Sequence, residues 1–256
     1  MSSAQPFSGR PQDLPVKADL ARLRVEYGKA ERLAYLGHLD LIATVERCIR
    51  RARLPFSIGN GYARRVRIQF SSALPVGASS SCEYFDVRLT ERVDAREALR
   101  SLRAATPEAL APLRAEYVPG RLPALEAWLD RSSWELACPR LAVGAEDLEE
   151  GVRRVRAAGE LTYLRGEREK RVDLASTLVG FEAREEGGVV RARVETRVGA
   201  TASLRPQVLL DAALSALGVP PATGVRVRRT AQLHEESGRL VEPFGPFGNE
   251  APAPLS

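Results

Sequence analysis

His38 and Asp40 lie two residues apart and are the side chains in this sequence best suited to acid–base chemistry. Histidine titrates close to neutral pH, and a nearby carboxylate can fix which ring nitrogen carries the proton. The other histidine, His234, stands near the C-terminal end. His38 and Asp40 are therefore a candidate catalytic pair.

The same two residues also fit a structural role. Apolar residues recur at helical spacing from Leu41 to Ala52, which predicts a helix that begins near Asp40 with this residue as its N-cap. His38 would then lie just outside a helix N-terminus, where backbone N–H groups favour anions. No second histidine and no serine or cysteine nucleophile motif accompanies the pair, so the structural or ligand-orienting role is preferred and the catalytic role stays open.

Arginine dominates the predicted helix and the loop that follows it. Guanidinium groups bind phosphate in bidentate geometry, and glycine lets the backbone approach an anion closely. An aromatic ring within a basic loop is typical of single-stranded RNA recognition. The residues predicted to contact nucleic acid are Arg47, Arg50, Arg51, Arg53, Gly59, Gly61, Tyr62, Arg64, Arg65 and Arg67. The alternatives are solvated surface charge and an ordinary turn.

Charge is distributed unevenly along the 256 residues, whose formal net charge is +5. Residues 1–127 contain 20 basic and 14 acidic side chains, whereas residues 128–256 contain 18 and 19. A basic half indicates an anionic partner, and nucleic acid is the commonest one.

The three cysteines, Cys48, Cys82 and Cys138, lie far apart in the sequence. This spacing predicts neither a disulfide framework nor an iron–sulfur site, and we expect buried thiols in a cytoplasmic protein. Two histidines and scattered cysteines also do not predict a metal site, so no metal or other cofactor is expected. No apolar run reaches the roughly 18 residues that span a membrane, and residues 1–19 lack the pattern of a secretory signal.

Alternating apolar residues predict strands at residues 22–27, 65–70, 85–89 and 113–117. One helix is predicted between the first two strands, and a second opens at Asp94, where Glu97 has capping-box spacing. The order strand, helix, strand, strand, helix, strand is that of a ferredoxin-like (split βαβ) unit. Residues 134–228 repeat this order less regularly, with Pro206 at the start of their last helix.

The predicted fold class is therefore α+β, with two tandem ferredoxin-like units and disordered termini. The predicted boundaries are a disordered arm at residues 1–20, a basic unit at 21–125, a second unit at 130–233 and a disordered tail at 234–256. The polar strand positions hold arginines that we expect on solvent-facing sheet surfaces: Arg22, Arg24, Arg65, Arg67, Arg88, Arg114, Arg191, Arg193, Arg226 and Arg228.

Several segments, in order along the chain, resemble the bacterial radical SAM-linked proteins, whose domain has no established function. They are YLGHLDL (35–41), VERCIRRARLPF (45–56), FSSALPVG (70–77), EYFDVRL (83–89), VDL (172–174), LRPQ (204–207) and VRRTA (227–231). Where that family usually has a loop like GFNPHPK, this sequence has GYARRVR (61–67). The resemblance implies a radical SAM enzyme as partner and implies no catalytic residues.

Together these observations predict a non-catalytic accessory protein that binds transfer or ribosomal RNA and partners a radical SAM enzyme in RNA modification. The RNA prediction rests on charge and loop composition, and the enzyme partner rests on the resemblance. Two alternatives remain: a metal-independent RNA-processing enzyme that uses His38, and a purely structural partner whose arginines contact an acidic protein.

Overall fold

The computed structural model describes residues 20–59, 64–200 and 202–247. These residues form eleven strands and six α-helices. Nine of the strands form one mostly antiparallel sheet, and the other two form a separate hairpin, which confirms the α+β class. The first half contains β1 (Ala21–Lys29), α1 (His38–Arg51), β2 (Ile68–Phe70), β3 (Ala78–Leu89), α2 (Ala95–Ala105), β4 (Pro112–Tyr117) and α3 (Leu125–Trp128). The second half contains β5 (Arg131–Cys138), α4 (Ala145–Ala157), β6 (Glu160–Arg165), β7 (Arg168–Asp173), α5 (Leu174–Thr177), β8 (Leu178–Glu186), β9 (Val189–Arg197), α6 (Pro206–Ala216), β10 (Arg226–Glu236) and β11 (Arg239–Val241).

Strands from both halves of the chain belong to one sheet. The sheet runs β4-β1-β3-β10-β5-β9-β8, with β2 also paired to β3 and β11 to β10. The halves meet where β3 and β10 pair in parallel over three residues, from Ala78 opposite Val227 to Ser80 opposite Arg229. Because β3 is twelve residues long, its other end is free to pair with β2 on the same edge. One continuous sheet therefore carries both halves.

Helices cover one face of the sheet in the first half. The predicted apolar stripe of α1 is confirmed, with Leu41, Val45 and Ile49 buried against the strands. The predicted start of α2 is also confirmed: the Asp94 carboxylate accepts the backbone N–H groups of Arg96 and Glu97. The alternating strand residues thus face a helical layer, as their spacing indicates.

In the second half, α4 and α6 pack against each other and against the sheet. Leu209 and Leu214 of α6 are fully buried, and Pro206 occupies the first turn as predicted. Gly151 lies where the helices come closest, since a Cβ atom there would stand 2.7 Å from the Ala213 carbonyl oxygen. A glycine within a helix, normally unfavourable, is here required by the packing.

The other face of the sheet in the first half is covered as well. Tyr84, Leu125 and Trp128 form a second small core on that face, and Phe244 and Phe247 pack against it. The predicted disordered tail at residues 234–256 therefore needs correction. His234 lies within β10, residues 239–241 form β11, and the described chain continues in contact with the fold as far as residue 247. Residues 1–19 and 248–256, also predicted to be disordered, lie outside the described residues.

Burial on both faces also overturns the expectation that Arg22 and Arg24 face solvent. Both side chains are inaccessible to solvent, and both are ion-paired with Asp86, at 2.7 Å and 2.8 Å respectively. Alternation along β1 identified its apolar face correctly, yet it carries no information about what covers the polar face. The cover comes from α3, the preceding loop and the C-terminal segment.

All three cysteines are buried free thiols, as predicted. Burial raises the pKa of the Cys82 thiol to about 12 and that of Cys138 to about 11. The thiolate is the reactive form, so both should resist alkylation near neutral pH in the folded protein.

We therefore expect iodoacetamide to leave Cys82 and Cys138 unmodified in the native protein and to modify both in guanidinium chloride. Peptide mass spectrometry after a timed quench measures the two fractions. Rapid native alkylation at either position would contradict the burial described above.

Candidate functional site

The candidate pair His38 and Asp40 lies in the first turn of α1. His38 is the first helical residue, and its half-buried ring meets Phe70 edge-on with 5.9 Å between ring centroids. The prediction that Asp40 caps the helix is wrong, because Gly37 is the N-cap residue and the exposed Asp40 is the third helical residue. No hydrogen bond joins these two described side chains, so the structure orients His38 through an aromatic contact and not through Asp40.

The arginines on α1 are exposed, as the helical stripe predicts. Arg47, Arg51 and Arg53 point to solvent, and Arg47 donates a hydrogen bond to the Thr44 hydroxyl. Arg50 is ion-paired with Glu46 at 2.8 Å, and its guanidinium lies over the Phe56 ring at 5.1 Å. The last contact holds the C-terminal end of α1 against the segment that follows it.

Residues 57–59, which follow Phe56, lie alongside residues 65–67. The Gly59 N–H donates to the Arg65 carbonyl at 2.8 Å, and Ile58 pairs with Val66 in an isolated antiparallel bridge. Arg64 and Arg65 are exposed, and Arg64 adopts a left-handed conformation with φ of 44°. The predicted contacts Gly61 and Tyr62 lie outside the described residues.

Arg67 departs from the other predicted phosphate contacts. Val66 is buried in the core beneath α1, so its neighbour Arg67 projects toward the opposite face of the sheet. There burial lowers the pKa of Arg88, and the positive charges of Arg22 and Arg67 lower it further. We call residues 47–65 the arginine segment; Arg67 is not part of it.

A cleft of about 650 Å³ lies between the two halves. Four of the segments that carry the family resemblance contribute to its lining, through His38, Ser72, Arg205 and Arg229. The hairpin of β6 and β7 forms another wall. We call this the interhalf cleft. Residues more than 150 positions apart in sequence meet there, and only the shared sheet brings them together.

Several lining residues of the cleft were not predicted as site residues: Trp134, Tyr163, Arg165, Lys170, Arg197 and Arg205. The charged run at residues 166–171 interrupts an apolar pattern, and this interruption is the sequence feature that could have indicated the hairpin. In the structure it is the turn and second strand of a hairpin, with Gly166 at φ of 62°. A charged interruption between two extended runs is typical of such a turn.

The cations of the cleft differ in how they are neutralised. Arg229 is ion-paired with buried Glu83 at 2.6 Å, and Arg197 with Glu235 at 2.7 Å. Arg165, Lys170 and Arg205 have no ion-pair partner among the described residues. These three therefore supply the uncompensated positive charge of the cleft.

Three apolar side chains are exposed on the first-half segments that contribute residues to the cleft. Val76 lines the cleft and is 68% exposed, and Leu39, next to His38, is 78% exposed. Tyr35 is 82% exposed, with its ring against Gly77. Of these three side chains, Val76 is the one that lines the cleft and offers it an apolar surface.

The open sheet face of the second half is a separate charged surface. It carries Arg191, Arg193, Arg226 and Arg228, all exposed as predicted, along a depression of about 720 Å³. Glutamates neutralise three of these four arginines: Glu186 contacts Arg191, Glu195 contacts Arg193, and Glu31 lies 3.9 Å from Arg226. Balanced charge makes this face a weaker phosphate-binding candidate than the arginine segment.

Within the described ranges no three histidine, cysteine or acidic side chains are arranged to hold a metal ion. None of the helices seen there has the length and apolar character that a bilayer crossing requires.

Residues 22–206 match a protein family described as "Uncharacterized protein conserved in bacteria (DUF2344)". The protein belongs to this family. The match covers most of the chain, from β1 to the start of α6, and confirms the predicted domain of unknown function. No curated protein matches the chain.

Two solved structures are similar to this DUF2344 protein at low identity. One is a crystal structure of a Cbf5-Nop10-Gar1 complex, with 14% identity over 92% of this chain and a TM-score of 0.46. This chain spans 56% of that one. The other holds the first two RRM domains of yeast poly(U) binding protein (Pub1), with 11% identity over 82% of this chain and 99% of that chain, and a TM-score of 0.23.

Proposed function

We propose that this protein is a non-catalytic RNA-binding accessory protein that uses the arginine segment to hold the phosphate backbone. In keeping with the family resemblance, its partner would be a radical SAM enzyme that modifies the bound RNA.

We further infer that the two halves are ferredoxin-like units joined edge to edge. Each follows the order β-α-β-β-α-β, and the second has the β6–β7 hairpin and α5 inserted after its first helix.

One observation carries the RNA proposal: apart from Arg50, which is ion-paired with Glu46, the described exposed arginines of this segment lack acidic partners. Arg51, Arg64 and Arg65 form no ion pair within the described part of the chain. On α4, by contrast, Arg153 and Arg154 are both ion-paired with Glu150 at 2.8 Å. Unpaired guanidinium groups on one short segment remain available for phosphate oxygens, which they bind in bidentate geometry.

Salt dependence of binding tests this proposal. Each phosphate contact releases counterions, so log K for a single strand falls by about 0.7 per contact for each unit of log salt. Replacing Arg51, Arg64 and Arg65 together with alanine is expected to flatten that slope by about 2 and to weaken binding of all sequences similarly. Fluorescence anisotropy with a labelled single-stranded RNA, from low to moderate salt, measures both quantities.

The matched control replaces Arg153, Arg154 and Arg156 with alanine, which removes the same net charge from the exposed surface of α4. This control should keep nearly the full slope. An unchanged slope and affinity in the Arg51, Arg64 and Arg65 variant would exclude the arginine segment as an RNA surface. Capture of an acidic protein by the unaltered chain, lost in that variant, would then identify the segment as a protein-docking surface.

A further inference from the structure

We infer that the interhalf cleft binds a single nucleotide through its phosphate group. The site is separate from the arginine segment. It rests on the proposed function only in naming RNA as the natural source of the nucleotide. A free mononucleotide and an RNA strand both present a phosphate attached to a nucleoside, and the site would recognise that group in either.

Three cations surround one aromatic ring on the hairpin wall. Tyr163 and Lys170 are directly opposite each other in the β6–β7 register, and Arg165 follows Tyr163 on the same face two residues later. The Arg205 guanidinium lies over the Tyr163 ring at 5.8 Å. All four side chains line the cleft, so the charges converge on one wall of it.

Like charges on one wall repel one another, and a bound anion lowers that repulsion. The acidic lining residues are Glu126 and Asp130. Asp130 accepts the Glu235 N–H at 2.8 Å and lies 3.6 Å from His234, whereas Glu126 is exposed. Neither acid is ion-paired with the hairpin cations, so all three cations can donate hydrogen bonds to a phosphate.

The remaining wall suits a nucleoside. His38, Pro75 and Val76 present one imidazole and two apolar side chains from the first half. The rings of Trp134 and Tyr163 each have a guanidinium over one face, from Arg229 and Arg205, whereas no described cation lies over the His38 ring, so we assign the base to His38. A volume of about 650 Å³ falls within the range of ligand pockets, about 300–1,000 Å³.

The test uses the full chain, with adenosine 5′-monophosphate, adenosine and a labelled oligoadenylate strand as probes. Lys170→Met and Arg165→Ala remove cleft cations. Their matched controls are Arg171→Met and Arg171→Ala, because Arg171 lies on the outer face of the same hairpin and does not line the cleft. Arg165 is exposed, so its variant keeps the fold even if Lys170→Met does not.

Calorimetry should show the monophosphate binding at least about tenfold more tightly than adenosine, as charge-assisted hydrogen bonds to one phosphate predict. Each cleft variant should weaken monophosphate binding by about tenfold, and each control by less than about twofold. Oligoadenylate binding that depends on Lys170 and Arg165, with no binding of the monophosphate, would support the site as one for a nucleotide within a strand.

Measurable but equal binding of monophosphate and adenosine, no binding of any of the three probes, or equal losses in cleft and control variants, would overturn the inference. Oligoadenylate binding that responds to the arginine-segment triple variant and not to the cleft variants, with no monophosphate binding, removes the cleft and leaves the proposed function intact. Cleft-dependent monophosphate binding by a protein that does not bind the strand establishes the cleft and removes the RNA proposal.

Discussion

Asp86→Asn is expected to lower the free energy of unfolding by about 3–5 kcal/mol, because it leaves buried positive charge without its counterion. Arg22, Arg24 and Asp86 are each 2% exposed or less. One carboxylate therefore balances two guanidinium groups in a site that water does not reach. The asparagine amide keeps the shape of the side chain and removes the charge, so the loss reports electrostatics and not a cavity.

The network around Asp86 also ties distant segments to the sheet. Arg22 donates hydrogen bonds to the carbonyl groups of Leu122 and Pro123, and Arg24 donates to that of Pro243. The loop before α3 and the C-terminal segment are thus held by the same pair of arginines. Removing the Asp86 charge should loosen the loop before α3 and the C-terminal segment. Faster backbone hydrogen exchange in residues 239–247 would report the loosening of the C-terminal segment.

Guanidinium chloride unfolding followed by circular dichroism measures the stability change for Asp86→Asn. Glu97→Gln is the control, since Glu97 and its partner Arg100 are both exposed and such pairs contribute about 1 kcal/mol or less. A loss for Asp86→Asn as small as that of the control would show that the two arginines find other compensation.

The second large effect is expected for Glu83→Gln, again about 3–5 kcal/mol of unfolding free energy. Glu83 of β3 receives two hydrogen bonds from Arg229 of β10, at 2.9 Å and 2.6 Å, and both side chains are buried. The guanidinium also lies over Trp134 at 5.1 Å. This ion pair joins the two halves where their strands share three paired residues, so its loss should weaken the contact between them.

A double variant separates the charge effect from packing. Replacing Glu83 with leucine and Arg229 with methionine removes both charges at similar volume, and buried pairs replaced in this way are often tolerated. We expect the double variant to recover most of the stability lost in Glu83→Gln, as measured by the same denaturation experiment. Lys29 keeps its carbonyl acceptors at Ala34 and Leu36 in both variants. A double variant less stable than Glu83→Gln would contradict a purely electrostatic origin.

Local patterns in the sequence predict the α+β class and the positions of most elements. Alternation of Leu23, Val25 and Tyr27 marked a strand, the stripe of Leu41, Val45 and Ile49 marked a helix, and all six are buried. Asp94 and Pro206 marked helix starts. These features depend on periodicity and backbone chemistry within a few residues, which is why a single sequence contains them.

Long-range packing sets which polar residues are buried and which come together. Arg22 and Arg24 have the local pattern of surface residues, and they are buried because residues more than 90 positions away cover them. His38 and Lys170 share a cleft because β3 and β10 join two halves into one sheet. The periodicity of a strand shows which of its sides is apolar. Which residues cover its other side, and which strand it pairs with, depend on long-range packing that no local pattern records.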